Sequence, residues 1–219
     1  MARRAAEELP DRLRESIMDR DRILNEVMPR VINYAWNEEY LKGVPHRRFM
    51  DLAVIYCIPV GENATLKLTN SHARMLDLAE EELHGAAMAN AERHGYEVES
   101  MAEFLKHVKA AGIPDDAFGD PMRDLMIISN RERSFGAYSF FAREAMKEIA
   151  DRIGTNLYII PSSVHELLAI GDLPEARKET IAEMVKAVNA ENVMPEERLS
   201  DSVYYFDRET CEVSIAVAG

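Results

Sequence analysis

Asn156-Leu-Tyr-Ile-Ile-Pro-Ser-Ser-Val-His-Glu-Leu-Leu168 carries a short polar run between two apolar runs. The apolar residues 157–160 predict a buried strand, Pro161-Ser-Ser163 is typical of a tight turn, and residues 164–170 predict the partner strand. A strand that turns straight back on its partner predicts antiparallel pairing. Burying an unpaired polar group costs about 1–3 kcal/mol, so the polar residues of this stretch need either a structural or a chemical role.

Two other segments, residues 52–58 and residues 125–129, predict buried strands because they are apolar on both faces. Residues 64–69 alternate apolar and polar side chains, which predicts a hairpin partner for the first of these strands with one face in water. The tail, Val203–Phe206 followed by Cys211–Val217, predicts a second hairpin.

Helical spacing dominates the first forty-odd residues. Ile23, Val27 and Val31 recur four residues apart, which is typical of one helix face. Pro29 predicts either a kink or the meeting point of two helices, and Gly43 is a typical C-cap. The pattern predicts a helical N-terminal segment.

Two later helix starts have capping-box spacing, at Asp77 with Glu80 and at Ser100 with Glu103. Each start is followed by apolar residues at helical spacing, which predicts a face packed on the core. These faces are Leu83, Ala87 and Asn90 in the first helix and Met101, Phe104, Leu105 and Val108 in the second.

Two further helices are predicted near the C-terminus. Residues 134–152 form a strongly amphipathic pattern that ends at Gly154. Residues 172–175 are typical of a capped helix start. The predicted core face of that last helix is Ile181, Met184, Val185 and Val188.

Strands interleaved irregularly with helices favour the α+β class, with a mainly antiparallel sheet packed by amphipathic helices. The sequence has no internal repeat, linker or compositional boundary, so a single domain is predicted over residues 1–219. Within it, residues 1–43 form the helical N-terminal segment and residues 44–219 form the body that contains the sheet.

The charge of the chain restricts its partners. Its 219 residues carry a formal net charge of -13, whereas nucleic-acid binding and docking on anionic membranes both need basic surfaces. No apolar run approaches the roughly 20 residues that span a bilayer, and the charged N-terminus lacks the apolar core of a secretory signal. Cys57 and Cys211 have no metal-ligand spacing and predict free thiols. We therefore expect an acidic cytoplasmic protein that binds neither nucleic acid nor membranes.

Four residues of the turn are the candidates for catalysis: Ser162, Ser163, His165 and Glu166. A serine with a histidine base can carry out nucleophilic catalysis, and alternate residues of a strand share a face, so Ser163 and His165 would be able to pair. The alternative is a tight turn whose hydroxyls bond backbone amides, with His165 as a structural residue. The missing Gly-x-Ser-x-Gly nucleophile elbow favours the structural interpretation.

Metal and cofactor binding have little support in the sequence. Among the six histidines, His84 with Glu80 and His107 with Glu103 lie four residues apart on predicted helices. No His-Glu-x-x-His motif occurs, and a solvated helix face is the better interpretation of both pairs. A glycine-rich phosphate loop is also missing, so we predict no metal and no cofactor.

Three asparagines flank or end predicted elements: Asn90, Asn130 and Asn189. Asparagine tolerates the left-handed backbone conformation that such ends often require. All three are therefore predicted to be caps.

Several motifs in a fixed order resemble a known family. The most specific is Asn156-Leu-Tyr-Ile-Ile-Pro-Ser-Ser-Val-His-Glu166. The others are Arg30-Val-Ile-Asn-Tyr34, Val44-Pro-His46, Asp51-Leu-Ala-Val-Ile-Tyr56, Glu82-Leu83, Ala89-Asn90, Ile128-Ser-Asn130, Phe135-Gly-Ala137, Met184-Val185, Val188-Asn189 and Leu199-Ser-Asp-Ser-Val-Tyr204. Together they resemble, over about residues 20–215, an uncharacterised bacterial domain-of-unknown-function family of gut Firmicutes. That family has no assigned activity, so the resemblance implies no catalytic residue.

Without a convergent catalytic set, a cofactor motif or a basic patch, the sequence favours a non-enzymatic cytoplasmic interaction or regulatory protein. Its partner would be an unidentified protein. The competing hypothesis is a hydrolase-like enzyme that uses Ser163 and His165.

The resemblance also implies an additional N-terminal segment in relatives, and its absence is expected to uncover apolar surface. We therefore expect a homodimer. The surfaces expected to be buried in it are the edge strand 64–69 or the N-terminal helix with Ile17, Ile23 and Val27. The alternative is a monomer whose N-terminal helix covers its own sheet.

Overall fold

The computed structural model of the protein describes residues 19–60, 65–101, 103, 125–174 and 177–219. The chain divides into an N-terminal unit, Met1–His94, and a C-terminal unit, Gly95–Gly219. Each unit holds an antiparallel sheet and α-helices, which confirms the α+β class. The division falls inside the body 44–219, and the single domain expected from the sequence stays a prediction.

The N-terminal unit contains four strands and four α-helices among its described residues. In chain order they are α1 (Arg20–Glu26), β1 (Met28–Asn33), α2 (Glu38–Leu41), β2 (His46–Phe49), β3 (Leu52–Pro59), β4 (Thr65–Lys67), α3 (Asn70–Met75) and α4 (Glu80–His94). A 3-10 helix, Ala35–Asn37, precedes α2.

Strand β3 is the centre of the first sheet. β1 pairs along one of its edges, and β2 and β4 pair along the other. One face of the sheet carries an apolar cluster that includes Ala53, Ile55 and Cys57. Because side chains alternate along a strand, Val54 and Tyr56 lie on the opposite face, and α4 packs against this sheet. Both faces are therefore covered, which explains why residues 52–58 are all buried, as predicted.

The helical interpretation of the N-terminal segment is wrong for residues 28–33. α1 ends at Glu26, and the next residues form β1, which pairs with β3 in a regular register. A spacing of four residues suits one face of a helix. It also suits one face of a strand, because residues an even number apart on a strand point to the same side. Val27 and Val31 are both fully buried at this position. Pro29 lies near the start of an edge strand, where a missing N–H is tolerated.

The C-terminal unit contains six strands and two described α-helices of eleven or more residues. Its elements are β5 (Glu97–Ser100), β6 (Met126–Ser129), α5 (Arg143–Ile153), β7 (Leu157–Ile160), β8 (Leu167–Gly171), α6 (Lys178–Asn192), β9 (Val203–Phe206) and β10 (Val213–Val217). The strand order is β10-β9-β7-β8-β6-β5, with every pair antiparallel.

Several predicted strands are confirmed. β6 and β7 are buried along their whole length, and β7 pairs with β8 after the predicted turn. β9 and β10 form the predicted C-terminal hairpin, and β4 pairs with β3 as expected. The partner strand of β7 begins at Leu167 and not at Val164, because residues 164–166 belong to the turn.

The two predicted C-terminal helices need correction. Within residues 134–152, a 3-10 helix, Gly136–Phe141, comes first, and α5 begins only at Arg143. α6 begins at Lys178 without a side-chain cap, not at residues 172–175. Its core face contains Ile181 and Val185 but excludes Met184 and Val188, which are 40% and 44% exposed. α6 packs on β9 and β10, and Met184, Ala187, Val188 and Ala190 lie exposed on the helix.

Asn90 and Asn189 are not caps of their own helices. Both are buried in helix interiors, and each amide reaches another segment. Asn90 donates to Val27 O at 2.8 Å and to Leu24 O at 3.1 Å, and so satisfies carbonyls at the end of α1. Asn189 donates to Ser200 O at 3.0 Å. Only Asn130 lies in a loop as expected.

The predicted capping pair of Ser100 and Glu103 is present, because Ser100 Oγ accepts the Glu103 N–H at 3.2 Å and donates to Glu103 Oε2 at 2.9 Å. Other predictions fall outside the described residues. They concern the core face at Phe104, Leu105 and Val108, the pair partner His107, the helix residue Ile17 and the edge residue Ala64.

Candidate functional site

The turn that joins β7 to β8 is held by backbone hydrogen bonds. Ser163 N donates to Glu166 O at 3.4 Å, and Ser163 Oγ accepts the His165 N–H at 3.1 Å. Ser162 N donates to Ile160 O at 3.0 Å. A serine hydroxyl that binds the backbone two residues later is a common turn device. It bends the chain at Val164, so the shared-face argument for Ser163 and His165 does not apply.

The His165 ring is fixed by a neighbouring loop. Its Nδ1 accepts the Phe135 N–H at 3.1 Å. Because a neutral imidazole has one donor and one acceptor nitrogen, the ring proton lies on Nε2. Nε2 is 3.6 Å from Glu197 Oε1, and the Phe135 ring lies beside the imidazole with centroids 5.0 Å apart.

A close backbone approach supports this arrangement. Phe135 has φ of 55°, in the left-handed region, and Gly136 follows it against β6. A Cβ atom on Gly136 would lie 2.4 Å from Ser129 Oγ and 2.7 Å from His165 O. Ser129 Oγ itself donates to His165 O at 2.8 Å. The glycine is therefore required where the loop crosses the turn.

The hydrogen bonds of the four candidate residues are made mainly with backbone atoms. Ser163 Oγ faces the backbone of His165, and the acceptor nitrogen of the His165 ring faces Phe135. Ser162 and Glu166 take part through main-chain atoms. These contacts are those of a hydrogen-bond network that holds a turn in place.

A second polar cluster lies in the N-terminal unit, where β2, β3 and α4 meet. Arg47 donates to both carboxylate oxygens of Glu80, with Nη2 to Oε2 at 2.8 Å and Nε to Oε1 at 3.2 Å. The Tyr56 hydroxyl donates to Glu80 Oε1. His84 Nδ1 lies 3.2 Å from the same hydroxyl, one helical turn along α4 from Glu80.

Burial and hydrogen bonding shift the titration of this cluster. Burial raises the pKa of Tyr56 well above its usual range, and the hydrogen bond to Glu80 acts in the same direction. Burial alone would raise the pKa of Glu80, but hydrogen bonds from Arg47 and Tyr56 outweigh it and lower that pKa. Burial, together with the Arg47 charge, lowers the pKa of His84. The cluster therefore combines an ionised carboxylate, a neutral phenol and a neutral imidazole near neutral pH.

The solvated helix face predicted for Glu80 and His84 is wrong, because both side chains bind the buried Tyr56. They share a face of α4 as the spacing suggested. Across the described residues, no group of three or more His, Cys, Asp or Glu side chains is arranged to hold a metal ion.

A surface depression of about 640 Å³ lies in the C-terminal unit. Arg208 dominates it, donating to Asp151 Oδ1 at 2.6 Å and to Gly154 O at 3.1 Å. Asp151 also accepts from Lys147 Nζ at 3.1 Å. Gly154 ends α5 with φ of 88°, so Arg208 satisfies a carbonyl at that helix end. The depression is explained by this contact between the β9–β10 turn and α5.

Two members of the N-terminal cluster, Arg47 and Tyr56, were not singled out from the sequence. The signal for Tyr56 was a hydroxyl inside the otherwise apolar strand β3. Arg47 had no such signal, because its distance to Glu80 depends on the pairing of β2 with β3. A buried tyrosine hydroxyl needs a partner, and that requirement points to the neighbouring helix.

In the residues that the structure describes, this is an α+β protein with an antiparallel sheet in each unit, and His165 and His84 each belong to a hydrogen-bond network. The chain belongs to a family of unknown function, DUF5688, which matches residues 2–208. This match confirms the resemblance to a family without assigned activity. No curated protein and no solved structure matches the chain. In the part of the chain that the structure describes, no helix is both long and apolar enough to cross a membrane.

Proposed function

We propose that this chain is a non-enzymatic interaction or regulatory protein of the cytoplasm. The observation that carries the proposal is the occupied acceptor nitrogen of His165. Since Nδ1 accepts the Phe135 N–H and Nε2 holds the ring proton, the neutral ring has no lone pair with which to deprotonate Ser163. The hydrolase-like alternative requires that lone pair.

Exposed apolar side chains on α6 support contact with a protein partner. Met184 and Val188 lie one turn apart and are 40% and 44% exposed, and Met194 beyond the helix is 58% exposed. Flexible methionine side chains adapt to the shape of a partner. Exposed apolar residues that cluster on one helix face are typical of protein interaction surfaces.

A second copy of the chain is the partner we propose. Ile23 and Val27 of the N-terminal segment are fully buried, which argues against α1 as the contact surface. The edge strand β4 stays a candidate, and the Met184–Val188 face of α6 joins it. An isologous two-fold contact between identical faces is the commonest closed arrangement.

Light scattering at micromolar concentration tests the dimer. We expect a mass near twice the 24.8 kDa of one chain. If the α6 face forms the contact, Met184→Lys combined with Val188→Lys should return the mass to that of one chain, whereas Ala187→Lys, on an exposed position of the same helix, should not. A dimer that persists in the double variant would assign the contact to β4 instead. A parent protein of one chain mass would overturn the dimer.

An ester substrate tests the absence of a serine nucleophile. We expect p-nitrophenyl acetate to be hydrolysed at the same rate by the parent, Ser163→Ala and Ser162→Ala. Hydrolysis that Ser163→Ala abolishes and Ser162→Ala leaves intact would support the hydrolase-like alternative instead. Ser162→Ala is the control, because it removes the neighbouring hydroxyl of the same turn.

A further inference from the structure

The tautomer of His84 follows from the hydrogen bonds around Tyr56. A phenol has one proton to donate, and an ionised carboxylate only accepts. The Tyr56 proton therefore goes to Glu80, and the hydroxyl oxygen accepts the Nδ1–H of His84 at 3.2 Å. The neutral ring then carries its lone pair on Nε2.

No protein atom occupies that lone pair among the residues that the structure describes. The hydrogen bond of His84 is the one through Nδ1 to Tyr56. The residue is half-buried, and Nε2 is not among the fully buried side-chain atoms that lack a hydrogen-bond partner, so it stays open to a ligand. The Nδ1–H is oriented by a series of hydrogen bonds that runs through Tyr56 to the carboxylate of Glu80. Such a series holds the ring in place and leaves Nε2 ready for proton transfer or ligand binding.

We propose that Nε2 of His84 is the proton-accepting atom of a second binding site, whose ligand presents a hydroxyl or ammonium group. This site is independent of the Ser163–His165 turn and of the proposed dimer. The groups that face His84 are Arg47 from β2, Tyr56 from β3 and Glu80 from its own helix.

The construction of the cluster supports a binding role. Tyr56 is 1% exposed, and its hydroxyl is directed at two residues of α4 by the strand on which it lies. Arg47 holds Glu80 through two nitrogens, which fixes the carboxylate plane. His46 also donates through Nδ1, to Val44 O at 3.0 Å. Its acceptor is a backbone carbonyl, whereas the acceptor for His84 is a tyrosine hydroxyl that itself donates to a carboxylate.

Nuclear magnetic resonance of the nitrogen-labelled full chain tests the tautomer. We expect His84 to carry its proton on Nδ1 and His165 to carry its proton on Nε2. Tyr56→Phe removes the acceptor for the Nδ1–H, so His84 should become a mixture of tautomers while His165 stays unchanged. A His84 ring protonated on Nε2 in the parent, or one insensitive to Tyr56→Phe, would overturn the proposal.

Diethyl pyrocarbonate tests the reactivity of the free lone pair. The Nε2 lone pair forms a bond to a carbonyl carbon of the reagent, and the anhydride C–O bond breaks and releases the ethyl carbonate anion. The acylated ring then loses its Nδ1 proton to water and is neutral. Peptide mass spectrometry should show His84 modified at least about tenfold faster than His165, whose acceptor nitrogen must first lose the Phe135 hydrogen bond.

His84→Asn is the matched variant, since its amide can still donate to Tyr56 while Nε2 is lost. It should fold and lose only the His84 modification. Equal modification rates of His84 and His165 in the parent would overturn the proposal. The histidine modification rates do not depend on the serine variants. The ester assay can therefore reject the proposed function, and the modification rates can reject the His84 site, each without the other.

Discussion

His165 and His84 differ in one hydrogen bond, and that difference decides their chemistry. Nδ1 of His165 accepts from a backbone amide, whereas Nδ1 of His84 donates to a tyrosine hydroxyl. The first ring presents an N–H to its surroundings and the second presents a lone pair. The conspicuous Ser-Ser-Val-His-Glu motif thus surrounds the ring that presents an N–H. The role of a histidine is set by the partner of its inner nitrogen, which the local motif does not specify.

The largest expected effect concerns the packing of the His165 region. Gly136→Ala should destabilise the protein by about 3 kcal/mol, because the added Cβ would meet atoms of Ser129, Asn130 and His165 below normal contact distance. Gly85→Ala, inside α4 with no atom within 4 Å, should instead stabilise by about 0.5–1 kcal/mol. Chemical denaturation measures both. Equal effects at the two glycines would contradict the close approach around His165.

His165→Ala should lower the free energy of unfolding by about 2 kcal/mol, since the Phe135 N–H loses its acceptor. His165→Asn places a carbonyl oxygen near the former Nδ1 and should retain most of the stability. Thermal melts of the two variants measure the difference. An alanine variant as stable as the parent would remove the structural role and restore the catalytic hypothesis for this turn.

Tyr56→Phe should cost about 1 kcal/mol, because one hydrogen bond to Glu80 and one to His84 are lost while Arg47 still holds the carboxylate. Denaturation at neutral pH measures this cost. Tyr34→Phe is a control, since that ring lies near His46 outside the cluster. A cost as large as that of His165→Ala would show that the N-terminal cluster serves stability as much as the turn does.

The smallest effect is a pH dependence. The pKa of Glu80 in the folded chain lies below its ordinary 4.5, so its stabilising contribution is complete above that pH and is lost as pH falls through the folded value. The stability gap between the parent and Glu80→Gln should therefore close in acid. The partly exposed pair with Arg47 limits the gap to under about 1 kcal/mol. A stability gap that widens in acid would contradict a lowered pKa of Glu80 in the folded chain.

Much of the fold was readable from local pattern. β3, β6 and β7 were identified because a strand covered on both faces is apolar at every position. The segment of β1 was misread, since a spacing of four residues fits both helical and strand periods. The exposed stripe at Met184 and Val188 was misread because an apolar helix pattern does not say which side the sheet covers.

The candidate sites were less predictable than the fold. The polar turn was visible as a motif, but Phe135, which fixes His165, lies 30 residues away. Arg47 and Tyr56 lie 33 and 24 residues from Glu80. Such pairs depend on strand register and helix packing, and a single sequence records neither.

The sequence by itself determined the acidic charge, the antiparallel α+β class and the buried strands, because these follow from composition and from short-range periodicity. Tertiary structure alone decided that Asn90 holds the end of α1 and that His165 and His84 carry their protons on opposite nitrogens. A hydrogen bond requires donor and acceptor within about 3 Å, and only the folded chain brings such distant residues to that separation.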